Sequence, residues 1–102
     1  MSKNRDELEF LWDPLKAQRN LRKHGVSFAG AAEVFLDPLA LSVPDPEHSD
    51  REERWVTVGV SGGVLLVVIH TFQEISSGRA RIRIISARRA TRSEIRRYQE
   101  WI

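Results

Sequence analysis

The sequence predicts an α+β fold, an antiparallel sheet with helices packed on one face, and three observations carry that reading. Helical and strand periodicities are segregated along the chain: two helical stretches near the start and one at the end enclose a run of four strands. Those strands are joined by short turns that suit hairpins and leave no room for crossover helices. The resulting order, β-α-α-β-β-β-β-α, contains no repeated βαβ unit of the kind that builds a parallel sheet.

Each element has a local cause. Leu8, Phe10 and Trp12 alternate with Glu9 and Leu11, which predicts a short first strand. Asp13 and Pro14 then supply an N-cap and a first-turn proline, and Gly25 closes the helix they open. On that helix Ala17, Leu21 and His24 share one face, and Lys16, Asn20 and Lys23 another. Ser27 caps a second short helix whose Phe28, Ala31, Ala32 and Phe35 form an apolar stripe, and Asp37-Pro38 ends it.

Residues 39–43 form the next strand, followed by an acidic loop rich in turn formers. Residues 54–60 alternate with period two, placing Val56, Val58 and Val60 on one face and Trp55 and Thr57 on the other. Ser61-Gly62-Gly63 connects them by a tight hairpin to residues 64–71, a nearly all-apolar central strand. A turn around Ser76-Ser77-Gly78 leads to residues 80–86, with Ile82 and Ile84 on one side and Arg81 and Arg83 on the other. Thr91-Arg92-Ser93-Glu94 has the capping-box pattern and opens a last helix with Ile95, Tyr98 and Ile102 on one stripe.

The chain has 102 residues, the size of one compact domain spanning 1–102. The absence of cysteine excludes disulfides, a thiol nucleophile and a zinc–cysteine site. No apolar run approaches the roughly 20 residues that a bilayer helix needs, and the acidic, polar start is unlike a signal peptide, so a cytoplasmic protein is expected. The net charge of +2 conceals a gradient: residues 1–53 hold 7 Lys/Arg against 11 Asp/Glu, residues 54–102 hold 9 Arg against 3 Glu. Every base in the second half is arginine, whose planar fork matches phosphate and carboxylate. That half is suited to a polyanionic or acidic partner.

Arg79, Arg81 and Arg83 recur at strand spacing, followed by Arg88 and Arg89. Three like charges on one strand face repel, so that face is expected to meet solvent or an anion; protection of an exposed sheet edge is the alternative reading. His24 ends the first helix, where the helix dipole favours its cationic form, and is a candidate acid or base or simply a helix terminator. His70, within the apolar strand, reads as a satisfied core histidine. The loop with Asp45, Glu47, His48 and Asp50 lacks the glycine and distal glutamate of an EF-hand, and no metal or other cofactor is expected. The helix pair around Lys23-His24-Gly25-Val26-Ser27 has helix-turn-helix spacing, but its second helix carries no Lys or Arg with which to hold DNA. Trp12, Trp55, Phe72, Tyr98 and Trp101 are the side chains able to stack unpaired bases, with core packing the commoner role for the first two.

Phe10-Leu11-Trp12-Asp13, Asn20-Leu21-Arg22-Lys23-His24-Gly25-Val26-Ser27-Phe28, Glu53-Arg54-Trp55, Arg83-Ile84-Ile85-Ser86-Ala87-Arg88, Glu94 and Tyr98, in this order, resemble the BrnT family of toxins from bacterial type II toxin–antitoxin pairs. The resemblance implies a RelE-like ribonuclease fold with one sheet face available to RNA, and inhibition of translation by RNA cleavage. It also implies a BrnA-type ribbon-helix-helix antitoxin that neutralises the toxin in a hetero-oligomer and alone contacts operator DNA.

Metal-independent RNA cleavage needs a base for the 2′-hydroxyl, cations for the phosphorane charge and an acid for the departing 5′-oxygen. The candidate clamp is Arg83, supported by Arg81, Arg54 and Arg88. Lys23, His24 and Glu53 are candidates for proton transfer, Tyr98 or His24 for the acid, and Ser86 for orienting a phosphate. A non-catalytic, Arg-rich module that binds RNA or an acidic protein is the competing reading.

Overall fold

A computed structural model describes residues 7–48 and 52–101. The elements run β1 (Leu8–Leu11), α1 (Pro14–His24), α2 (Phe28–Ala32) continued by a 3-10 turn (Glu33–Leu36), β2 (Leu41–Pro44), β3 (Trp55–Ser61), β4 (Val64–His70), β5 (Gln73–Ser76), β6 (Arg79–Arg89) and α3 (Arg92–Trp101). The fold is α+β as expected. The expected caps are present: Asp13 accepts from the Leu15 amide at 2.8 Å, Ser27 from that of Gly30 at 2.9 Å, and Gly25 ends α1 at φ 70°. In the capping box the Thr91 amide donates to Glu94 at 2.8 Å and the Glu94 amide to the Thr91 hydroxyl at 3.2 Å.

The six strands are ordered β1-β6-β4-β3-β2, with β5 paired to β6. Two features depart from the antiparallel expectation. Strand β1 lies parallel to β6, Phe10 opposite Ile82 and Leu11 opposite Arg83, because the whole intervening chain forms the connection. Residues 73–76, which lie between the expected strand 64–71 and the turn around Ser76-Ser77-Gly78, form β5, and only Ser77-Gly78 turns the chain back into β6, with Gly78 at φ 78°. Strand β6 is therefore long enough to bridge two neighbourhoods: its first half pairs β1 and β5, its second half β4.

One sheet face is covered by α1, α2 and the 3-10 turn. Phe28, Ala31 and Val34 pack there on Leu66, Val68, Ile82, Ile84 and Ala87, with Phe10 and Phe35 at the margin. Gly59 permits the closest approach: a Cβ there would lie 2.7 Å from Val34 Cγ1. Asn20, on the polar side of α1 by pattern, is buried instead of Leu21, which is about half exposed. Its amide donates to the carbonyls of Ala87 at 2.8 Å and Val26 at 3.0 Å and accepts from the Ala87 amide at 3.1 Å. It thus supplies the neighbour that β6 lacks where β1 has ended, and buried backbone groups require such partners.

The opposite face carries Glu9, Arg81, Arg83, Ser86 and Arg88 beside Val56, Val58, Val67 and Ile69, following the alternation of the paired strands. Helix α3 borders this second face, so the helices are not all on one side: Glu94, Arg97, Tyr98 and Trp101 line a groove with those valines. Among the described residues, no helix is long and apolar enough to cross a membrane.

Candidate functional site

Arg79, Arg81 and Arg83 share one face of β6 by strand alternation, the register shift at Ile69/His70 brings Arg88 to the same face, and each of these four is met by a carboxylate. Arg79 donates to Glu9 at 2.6 Å and lies 3.6 Å from Glu7, and Arg81 donates to Glu9 at 3.3 Å. Arg83 donates to Glu52. Arg88 makes a two-pronged pair with Glu94 at 2.8 and 2.9 Å. Glutamates on β1, before β3 and on α3 thus relieve the repulsion of the like charges.

These pairs differ in strength. Glu94 is held by the Arg88 guanidinium and, against some burial, by the Thr91 amide, which together bring its carboxyl down to about 2. The same bond raises the Arg88 pKa. The two arginines are about equally exposed, Arg83 at 39% and Arg88 at 41%, but Glu52 is 42% exposed against 30% for Glu94, so water screens the Glu52 carboxylate more. The Arg83 hydrogen bond lowers the Glu52 pKa against slight desolvation, and the charges of Arg83, Arg54 and Lys16 act in the same direction. Lys16 opens α1, and Lys23 lies two turns, about 10 Å, further along the axis.

The sequence candidates therefore separate. Arg83 pairs with Glu52, whose carboxylate also feels the charges of Arg54 and Lys16, and Arg81, two residues earlier on the same strand face, pairs with Glu9. Lys23 and His24 close α1 at its other end, beyond Asn20. Glu53 is exposed, next to the carboxylate that meets Arg83. Ser86 shares the face between Arg83 and Arg88. Arg88 belongs with Tyr98 around the α3 groove, five residues and roughly 16 Å along β6 from Arg83.

Tyr98 is only 8% exposed, and its hydroxyl donates to Asp37 at 2.9 Å. Burial and the Asp37 carboxylate push the phenol pKa up. Asp37 also accepts from the Leu39 and Val60 amides, at 2.9 and 2.8 Å, and these bonds outweigh burial and lower its pKa. Glu52, the partner of Arg83, did not stand out in the sequence. Only the charge of Glu52 was visible there, because the neighbouring Glu53 fits the strand alternation equally well.

His70 is buried, as expected, with its ring edge-on to Phe35 at 4.9 Å. Its Nδ1 lies 2.9 Å from the Thr71 carbonyl and must donate there, so Nε2 accepts from the Thr57 hydroxyl at 2.6 Å. Thr57 in turn accepts from Ser42 at 2.7 Å. Burial lowers the His70 pKa, which suits this neutral form. Among the described residues no three His, Asp or Glu side chains come together as a metal site, and residues 49–51 of the acidic loop lie outside the description.

The chain is a small α+β protein that presents strand-spaced arginines, each paired with a glutamate, on the sheet face that α1 and α2 leave uncovered. Residues 12–94 match the family model described as ribonuclease toxin, BrnT, of type II toxin–antitoxin system, and the chain belongs to that family. A search of curated proteins finds none that matches it.

Proposed function

We propose that this BrnT-family toxin, working as one RelE-like domain in the cytoplasm, inhibits translation by metal-independent cleavage of RNA at the Arg83–Glu52 cluster. The observation that carries this reading is the partly exposed Arg83, paired with the exposed Glu52 carboxylate on which Arg54 also acts, two residues along the strand face from Arg81. A scissile phosphate takes the place of Glu52 on the guanidinium. The freed carboxylate, now beside the phosphodiester anion, takes the proton of the 2′-hydroxyl as its oxygen attacks phosphorus. The 5′-oxygen leaves with a proton from Lys16, giving a 2′,3′-cyclic phosphate and a 5′-hydroxyl. Arg81 and Arg54 hold the extra charge of the phosphorane.

A BrnA-type ribbon-helix-helix antitoxin neutralises the toxin in a hetero-oligomer and supplies the operator-DNA contacts. The antitoxin requirement agrees with the type II family. The test is induced expression with and without the antitoxin gene, scored by growth arrest and by primer extension on cellular RNA. Arrest with new 5′ ends, both suppressed by the antitoxin, is expected. Arrest without new ends favours the non-catalytic Arg-rich module.

A further inference from the structure

We infer that the cavity between Trp55 and Phe72 is a subsite for one unpaired nucleobase of the RNA strand whose phosphates lie on Arg83 and Arg54. The inference rests on the ribonuclease reading above and extends it to base recognition. The cavity has a volume of about 270 Å³, and Phe35, Trp55, Phe72 and Ile82 supply its apolar wall. Phe72 is 50% exposed, so an aromatic face is offered to solvent and not spent on the core.

Its position ties it to the cation cluster. The Thr71 amide donates to the Arg83 carbonyl at 3.0 Å, and the Arg83 amide donates to the Thr71 hydroxyl at 3.2 Å. Phe72 is therefore fixed one residue from a segment bonded twice to the clamp arginine. Trp55 begins β3 opposite His70 and directly follows Arg54. Successive residues point to opposite faces, so Arg54 and Trp55 straddle the rim of the sheet. A strand laid on the arginines needs to turn only one base over that rim to reach the aromatic pair.

The polar lining completes a base site. Because His70 Nε2 takes the Thr57 hydrogen and Thr57 takes that of Ser42, the Ser42 oxygen keeps lone pairs for an incoming donor. An exocyclic amino group of adenine, cytosine or guanine is such a donor. Aromatic stacking next to a cationic track is the usual way single strands are held.

The test compares two uncleavable strands of equal length on the full chain: a mixed-sequence 2′-O-methyl RNA and an abasic strand with the same phosphates. The wild type should prefer the base-bearing strand by about tenfold or more, the scale of one stacked base. Phe72→Ala and Trp55→Leu should lose most of that preference, and Trp55→Phe should keep it. Arg83→Ala should weaken both strands together and preserve the ratio. An undiminished preference in Phe72→Ala and Trp55→Leu overturns the subsite while leaving the ribonuclease reading intact. Failure of the wild type to bind either strand overturns both. Escape from antitoxin neutralisation with the preference unchanged assigns the cavity to the protein partner and also overturns it.

Discussion

Arg83 on β6 donates a hydrogen bond to the carboxylate of Glu52, which approaches from the segment before β3. The relationship gives Glu52 two opposed effects. In the proposed reaction it competes with substrate for Arg83 and then takes the proton of the 2′-hydroxyl. Glu52→Gln should therefore bind uncleavable RNA more tightly, by a few fold, yet cleave about 100-fold more slowly, the scale of one general base. Glu53→Gln, one residue away, should change both by less than about threefold. Single-turnover cleavage alongside fluorescence anisotropy separates the two effects, and a Glu52→Gln protein cleaving at the wild-type rate removes the base assignment.

Tyr98 is engaged with Asp37 and is a poor proton donor in that state. Tyr98→Phe should remove one hydrogen bond and reduce folding stability by about 1 kcal/mol, measured by urea denaturation. Cleavage at saturating RNA should stay within a few fold of wild type. A loss of a hundredfold or more without loss of fold would restore Tyr98 as the acid.

The Arg88–Glu94 pair predicts a pH dependence of stability. The Glu94 pKa falls from 4.5 to about 2 on folding, so its contribution is complete above pH 4.5 and is lost as the pH drops towards 2. Wild type should exceed Glu94→Gln in denaturation midpoint at pH 6, and the gap should close by about pH 2. A gap independent of pH across that window contradicts the assigned role.

Asn20 closes the free edge of β6 by bonding both the amide and the carbonyl of Ala87. Asn20→Ala leaves those buried groups without partners and should destabilise the fold by about 3 kcal/mol. Hydrogen exchange should quicken at Ala87, whose amide lies between Arg83 and Arg88 on β6.

Caps, turns and strand alternation were legible in the sequence because they depend on residues close together in the chain. Asp13, Gly25, Ser27 and Thr91 act within a few positions, and the opposition of Ile82 to Arg81 needs only the strand period. The parallel pairing of β1 with β6 was not legible, since nothing local distinguishes an edge strand's direction. Burial of Asn20 in place of Leu21 was equally hidden. It depends on where β1 stops along β6, a relation between residues 67 positions apart. At the candidate site the arginine ladder was visible, but its partners were not. Glu9, Glu52 and Glu94 reach it from three different segments, and the choice of Glu52 over Glu53 follows from the chain's approach to β3.

Cleavage of a defined RNA by purified protein in excess EDTA, wild type against Arg83→Ala, tests the central claim most directly. The wild type should produce fragments with 5′-hydroxyl and cyclic phosphate ends, and Arg83→Ala should keep the wild-type circular dichroism spectrum while losing cleavage by about 100-fold or more. A folded Arg83→Ala that cleaves at the wild-type rate, or wild-type activity that vanishes in EDTA and returns with Mg²⁺, would contradict the account.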